Sequence, residues 1–257
     1  MSTVSPKRVI LITGAGSGIG RALAIGFARD GDAVVAFDVQ EPGLLETARL
    51  GGGNMTVVVG DITQSADIAR LIAISLERFG KIDALVNNAG INVLGRFTEQ
   101  PFAEWRRVIS VNLIGLAECC HQVLPHMLAR GHGRIVNLAS REAETGRGRL
   151  NAYASSKGGV AVFTKSLARE LQSLRAHDVL VNAQLPGPTD TGMTRAGALF
   201  RDPNATNPSE GLRTPESVFP HTRYLVDLPA GGPSGGVFMD SKPYPLFRVS
   251  WPVADLI

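Results

Sequence analysis

The sequence predicts an α/β fold: a doubly wound, parallel sheet of about seven strands between two layers of helices. Three observations lead there. Short apolar runs alternate with longer amphipathic stretches, each run is bounded by Gly, Asn, Asp or Pro, and strands such as Val9-Ile10-Leu11-Ile12 are apolar without a break. An unbroken apolar strand is expected where helices cover both faces of a sheet. Right-handed crossovers between parallel strands then give a three-layer α/β/α sandwich.

Strands are expected, in order, at Arg8–Ile12, Ala33–Phe37, Thr56–Val59, Ala84–Val86, Gly133–Leu138, Val179–Ala183 and Gly236–Met239. Helices are expected at Ile19–Arg29, Ser65–Phe79, Phe102–Ala129, Asn151–Arg175 and Pro215–Leu228. Ile68, Leu71, Ile72 and Leu76 form one stripe at the 3.6-residue period. Residues 1–257 read as a single domain, without internal repeat or dividing linker. Residues 186–215 break the rhythm, being rich in Pro, Thr, Asn, Gly and Arg and lacking periodicity. A loop of that length in a compact domain is usually functional, and this one is expected to bind substrate.

Composition narrows the function classes. With 44% hydrophobic residues the chain can bury one sizeable core, and 29 Gly plus 15 Pro make 44 residues, about 17%, below the roughly 25–30% of low-complexity chains. The charge is 26 − 23 = +3, with no run of five or six like charges, so no nucleic-acid footprint is visible. No stretch reaches the ~18 consecutive apolar residues of a membrane span, and Val9–Ile12 is too short for a secretory core, so a cytoplasmic protein is expected. Cys119 and Cys120 are adjacent, too close for an ordinary structural disulfide, and read as buried thiols. His121, His126, His132, His177 and His221 show no helical metal pair and no CxxC partner, so no metal is expected.

The first strand runs into Thr13-Gly14-Ala15-Gly16-Ser17-Gly18-Ile19-Gly20 and then into a helix. Gly14, Gly18 and Gly20 lack a Cβ, so the backbone can turn sharply, admit a pyrophosphate and pack the helix on the strand. Ser17, Gly18 and Ile19 stand where the helix start offers N–H groups and its positive dipole end to an anion. The plainer alternative is a tight strand-to-helix turn. Asp38, 18 residues past Gly20 at the end of the second strand, strengthens a Rossmann-like dinucleotide site. A carboxylate there accepts the adenosine ribose hydroxyls and repels a 2′-phosphate. No Lys or Arg precedes Arg21 in the loop, so NAD is expected over NADP; the alternative for Asp38 is a solvated turn residue.

Tyr153 and Lys157, four apart on an expected helix, project from one face. A fixed ammonium stabilises phenolate, and moving a tyrosine pKa from about 10 toward 7 needs roughly 4 kcal/mol. Such a phenol would exchange protons near neutral pH. By itself the pair reads better as an exposed helical pair.

Taken together, Thr13-Gly-x-x-x-Gly-x-Gly20, Asn87-Asn88-Ala89-Gly90, Asn112, Ser140 and Tyr153-x-x-x-Lys157 resemble the short-chain dehydrogenase/reductase family, in its shorter single-domain branch, over about residues 7–194. The resemblance implies that Tyr153 is the general acid/base and that Lys157 lowers its pKa and binds the nicotinamide ribose. It implies that Ser140 holds the substrate oxygen and that Asn112 holds a water in the proton relay. A strand-end cap and a buried helix-kink asparagine are the respective alternatives. Asp61 and Ile62 resemble the pair that lines the adenine, and Asn88, Ala89 and Gly90 the turn beside the adenosine ribose, with Asn87 structural. Pro186, Gly187, Thr189 and Thr191 resemble the segment that grips the nicotinamide carboxamide; Thr189 replaces a usual Val or Ile, so the side-chain contact is expected from Thr191.

The implied activity is NAD(H)-dependent interconversion of a secondary alcohol and a carbonyl, with a homodimer or homotetramer as the assembly. Two features depart from the pattern. Arg141-Glu142-Ala143-Glu144 follows Ser140 where many relatives carry small residues, and Glu142 or Arg141 is expected to contact a polar substrate unless this is a solvated loop. The segment Gly231–Pro243 is similar to carbonyl reductases that favour NADP, in tension with Asp38. The alternatives are therefore an NADP-dependent carbonyl reductase or a non-catalytic dinucleotide-sensing regulator of the same fold.

Overall fold

The computed structural model describes residues 7–52, 55–202 and 206–246. The ends of the expected 1–257 domain and residues 203–205 of the expected substrate loop lie outside that range. Among the described residues eight strands form one sheet: β1 (Val9–Thr13), β2 (Ala33–Asp38), β3 (Met55–Val59), β4 (Ala84–Asn87), β5 (Gly133–Leu138), β6 (Val179–Gln184), β7 (Val237–Met239) and β8 (Lys242–Pro243). Their order is β3-β2-β1-β4-β5-β6-β7-β8, parallel except for the β7–β8 hairpin.

The eighth strand is one more than the sequence predicts. It is two residues long and joined by Asp240 and Ser241, both with positive φ (48° and 59°), as a tight primed turn requires. Asp-Ser carries no glycine signal for such a turn.

The helices are α1 (Gly18–Arg29), α2 (Glu41–Gly51), α3 (Ser65–Phe79), α4 (Phe102–Ile109), α5 (Leu116–Arg130), α6 (Glu142–Thr145), α7 (Asn151–Ser173), α8 (Gly192–Arg201) and α9 (Phe219–Val226). Three are not legible in the sequence: α2, α8 and the four-residue α6, which lies in the run after Ser140 where no helix is expected. α2 opens with Pro42 and Gly43 and buries only Leu44 and Thr47, too little for a stripe. α8 lies inside the expected loop 186–215, where a Thr191–Thr194 capping box starts it.

The expected long helix Phe102–Ala129 is interrupted by a π-helical segment, Ser110–Gly115, that separates α4 from α5. By length and composition the run Phe102–Arg130 could cross a membrane. Its inner face instead joins the core through Leu116, Cys119, Cys120, Val123 and Met127.

Alternation along β1 divides the core. Val9 and Leu11 face one helical layer with Val35, Phe37 and Leu85, while Ile10 and Ile12 face the other with Leu23, Phe27 and Val34. Phe27 is fully buried and meets Phe219 edge to face at 5.0 Å. Truncating such an aromatic costs about 3–5 kcal/mol.

Candidate active site

Strand order reverses between β1 and β4, and the carboxyl ends of the strands bring the candidate residues to one edge. This is where a doubly wound sheet opens a crevice for a ligand. Gly14 and Gly18 follow β1 with φ of 68° and 49°, conformations that L side chains avoid. A Cβ on Gly20 would stand 2.0 Å from the Gly14 carbonyl oxygen, and one on Gly14 would stand 2.7 Å from Ala89 Cα. The loop is thus closed by backbone contact that only glycine allows.

Ser17 is the N-cap of α1, but its side chain makes no capping hydrogen bond. The helix start without a side-chain cap and a loop whose Gly14, Gly16 and Gly18 lack a Cβ fit a pyrophosphate. Asn88 Nδ2 donates to the carbonyls of Thr13 and Gly14, both at 3.0 Å, and the Thr13 hydroxyl accepts the N–H groups of Asn88 and Ala89. The Asn88 amide therefore holds the loop. Asn87 is buried and donates to Asn137 at 2.9 Å, tying β4 to β5.

Asp38 ends β2 with Oδ2 accepting the Gly16 N–H and Oδ1 accepting the Gln40 N–H, both at 2.9 Å. Arg21 turns under the loop to the Gly16 carbonyl (2.5 Å) and to Thr47 Oγ1 (3.1 Å). After β3, the Asp61 carboxylate accepts both the N–H and the hydroxyl of Thr63 at 2.8 Å. Ile62 is buried, with its carbonyl against Gly115 of the π segment.

That segment is where the backbone aims Asn112. The side chain is fully buried, accepts the Ile91 N–H at 2.8 Å, and donates to the Ile91 carbonyl (2.9 Å) and Ser156 Oγ (3.1 Å). Gly90 lies beside it, within reach of Asn112 Oδ1 and Lys157 Nζ. Extra residues of π-helix are frequent at functional sites. Here the segment joins the turn after β4 to α7.

Ser140, just beyond β5, hydrogen-bonds to Tyr153 and accepts the Glu142 N–H at 3.2 Å. Burial pushes the Tyr153 phenol above its ordinary value, the Ser140 hydrogen bond opposes that, and the Glu142 charge adds to it. Lys157 is buried, and burial brings its ammonium down to about 8. Its Nζ donates to the Leu138 carbonyl at 2.6 Å and lies 5.7 Å from the centre of the Tyr153 ring. The four-residue spacing does bring the two together. Lys157 is nevertheless committed to the β5 carbonyl, and desolvation dominates the phenol, so the expected depression of Tyr153 is absent in this state.

A cavity of about 610 Å³ opens above this group, lined from within 139–150 on one side and from within 186–198 and 207–212 on the other. Gly187 and Thr189 follow β6, with the Thr189 hydroxyl donating to the Gly187 carbonyl at 2.8 Å. Thr191 caps α8, so its hydroxyl is shared with Thr194, and its methyl group faces Gly18.

Glu142 departs from the expectation of a side chain presented to a ligand. Its carboxylate is buried; burial would raise its pKa, but the Arg147 ion pair and the hydrogen bonds from Arg147 and Thr145 hold it below the usual range. Three positions escaped the sequence reading. Arg147 sits in the run Gly146-Arg147-Gly148-Arg149, which matches no motif. Arg213 pairs bidentately with Asp240 (2.6 and 3.1 Å), and Tyr244 donates to Glu144 at 2.7 Å, so the β7–β8 hairpin is tied to both cavity walls. Neither link has a local sequence signal.

Residues 8–199 match the family model for short chain dehydrogenases. The chain is 40% identical over 193 residues to short-chain reductase protein NovJ of Streptomyces niveus, covering 74% of this chain and 72% of that protein. It is 37% identical to cis-4-hydroxycyclohexanecarboxylate dehydrogenase of Sinomonas cyclohexanicum, covering 88% and 92%. Among solved structures it resembles a 3-ketoacyl-(acyl-carrier-protein) reductase from Brucella melitensis complexed with NADH, with TM-score 0.82, 32% identity and coverage of 92% and 97%. It also resembles a single-residue variant of actinorhodin polyketide ketoreductase with NADPH, with TM-score 0.83, 32% identity and coverage of 90% and 95%.

Proposed function

The chain belongs to the short-chain dehydrogenase family, and from that premise we propose that it is an NAD(H)-dependent oxidoreductase interconverting a secondary alcohol and a carbonyl, with Tyr153 as general acid/base. The observation that carries the reading is the hydrogen-bonded Ser140–Tyr153 pair on the wall of the cavity, at the crevice edge onto which the glycine loop opens.

The dinucleotide, when bound, supplies the hydride acceptor for oxidation or the donor for reduction. Gly14, Ser17, Gly18, Ile19 and Gly20 would hold its pyrophosphate, and Asp38 its adenosine ribose. Asp61, Ile62, Asn88, Ala89 and Gly90 would flank the adenosine, with Asn88 acting through the loop backbone. Pro186, Gly187, Thr189 and Thr191 would flank the nicotinamide. Ser140 holds the substrate oxygen. Tyr153 gives its phenolic proton to that oxygen during reduction, and takes the hydroxyl proton as phenolate during oxidation. The raised phenol pKa of the structure suits the proton donor. Lys157, as a buried cation beside the ring, supports the phenolate, and Asn112 braces the turn at Ile91 and the start of α7.

NAD is favoured over NADP because a carboxylate stands where a 2′-phosphate would go and Arg21 is held beneath the loop. The NADH and NADPH complexes among the structural neighbours make this a question for assay. Absorbance at 340 nm, followed over a panel of secondary alcohols and ketones with each dinucleotide, tests the reading. Tyr153→Phe should lower kcat by about 10³-fold or more and leave NADH affinity within a few-fold. Tight NADH binding without turnover of any substrate would instead favour a dinucleotide sensor, and retained activity in Tyr153→Phe would remove it as the proton donor.

A further inference from the structure

Among the described residues, four charged side chains line the cavity that Ser140 and Tyr153 enter: Arg141, Glu142, Arg147 and Glu210. They differ in what they can still offer. Glu142 is enclosed, with 8% of its side chain exposed, and it accepts from Thr145 Oγ1 (3.0 Å), Arg147 Nε (2.6 Å) and the Arg147 N–H (3.3 Å). Its capacity is spent on the loop. Glu210 lies on an exposed turn of the opposite wall, and Arg141 hydrogen-bonds to Tyr244.

Arg147 is set apart by an enclosed carboxylate that fixes its direction. One edge of its guanidinium grips Glu142, yet 63% of its side chain is exposed at the cavity wall. A guanidinium carries five N–H donors in a fixed plane, so a gripped edge leaves others pointing outward in a defined direction. Glu142, which sets that direction, also donates its own N–H to Ser140 Oγ. One residue thus relates the outward donors of Arg147 to the oxygen-holding serine.

We propose that Arg147 is a specificity-determining residue whose guanidinium, oriented by Glu142, binds the carboxylate of a hydroxy-acid or oxo-acid substrate. The inference rests on the alcohol–carbonyl reading of the site. The Arg147–Glu142 pair is neutral as a unit, so a monoanion that accepts a forked hydrogen bond fits it, whereas a dianionic phosphate would face the Glu142 charge. Ile19, Leu94, Leu150, Met193 and Leu212 supply apolar wall for the body of such an acid.

The test is calorimetric titration of the full-length protein, with and without NADH, using cyclohexanecarboxylate and its neutral analogue cyclohexanecarboxamide. The acid should bind roughly 10- to 100-fold more tightly than the amide. Arg147→Gln should abolish that preference, and Arg147→Lys should restore part of it. Because Arg147→Gln strips buried Glu142 of its counter-ion, the double variant Glu142→Gln/Arg147→Gln is titrated as well and should also bind acid and amide alike. Failure of the wild type to bind the acid, equal binding of acid and amide by the wild type, or a preference that survives both variants would overturn the assignment. An intact Arg147-dependent preference in a protein that turns over no alcohol or ketone would support it and refute the oxidoreductase reading alone.

Discussion

Asp38 accepts the Gly16 N–H through Oδ2 at 2.9 Å, so the carboxylate at the end of β2 is part of the hydrogen bonding of the glycine loop itself. A Cβ on Gly16 would stand 3.0 Å from the same carboxylate, which leaves the two in direct contact. Each carboxylate oxygen has a second lone pair, so the geometry permits ribose hydroxyls as additional donors. It does not permit a neighbouring phosphate dianion without repulsion.

Asp38→Asn keeps the size of the side chain and removes its charge. The ratio of kcat/KM for NAD over NADP is therefore expected to fall by about 10-fold or more, chiefly through improved use of NADP. Steady-state kinetics with both dinucleotides check it. A wild-type protein that already prefers NADP would refute the electrostatic account.

Lys157 yields a pH dependence of stability. Its folded pKa of about 8 lies below the ordinary 10.5, so below pH 8 folding carries the full cost of burying the ammonium, about 3 kcal/mol. Between about pH 8 and 10.5 the unfolded chain binds more protons than the folded one, and stability rises with pH. The unfolding free energy of the wild type minus that of Lys157→Met should therefore increase from pH 7 to pH 10 in chemical denaturation. A difference that stays flat, or falls, would contradict the burial of a charged lysine.

Gly20→Ala sets a Cβ against the Gly14 carbonyl oxygen, a backbone atom that cannot swing away. The expected outcome is destabilisation by about 1–3 kcal/mol or more and an NADH affinity lowered at least 10-fold, because α1 must separate from the loop. Gly192→Ala, at the start of α8 with nothing within 4 Å of its added Cβ, is the matched control and should be neutral or slightly stabilising. Urea denaturation and fluorescence quenching by NADH report the two quantities.

Cys119 and Cys120 should be inert in the folded protein. Burial pushes both thiols up, Cys120 to about 12 with the Asn87 amide opposing slightly, and both side chains are buried against the sheet. An aromatic disulfide reagent at pH 8 should titrate neither thiol in native buffer and both in denaturant. Fast labelling of the native protein would mean that α5 opens locally.

Local signals explain which parts of the molecule were legible. The unbroken apolar strands, the stripe Ile68-Leu71-Ile72-Leu76 and the glycine run after β1 are properties of consecutive residues, and they lead to parallel strands and a strand–loop–helix crevice. By contrast α8 begins at a Thr191–Thr194 capping box in a segment without apolar periodicity, and β8 is two residues held by pairing with Phe238 and Met239. The π segment at Asn112 is equally invisible, because an α-helix and a π turn share the same composition. Within the site, the Tyr153–Lys157 pair is marked by its four-residue spacing, and Ser140 only by the resemblance to the family. Arg147 has no such signal, because its partner Glu142 is buried only once the loop is folded.

By itself the sequence determined the parallel sheet with helices on both faces, the position of the glycine loop on it, and the residue types able to exchange a proton at its edge. Those depend on periodicity, on missing Cβ atoms and on side-chain chemistry, all of which are carried by the chain locally. The tertiary structure alone decided where the charges are spent: Lys157 on the Leu138 carbonyl, Arg21 beneath the loop, Glu142 on Arg147, and Asp38 on Gly16. Burial and pairing set the strength of a charge, and both are created only when distant segments meet.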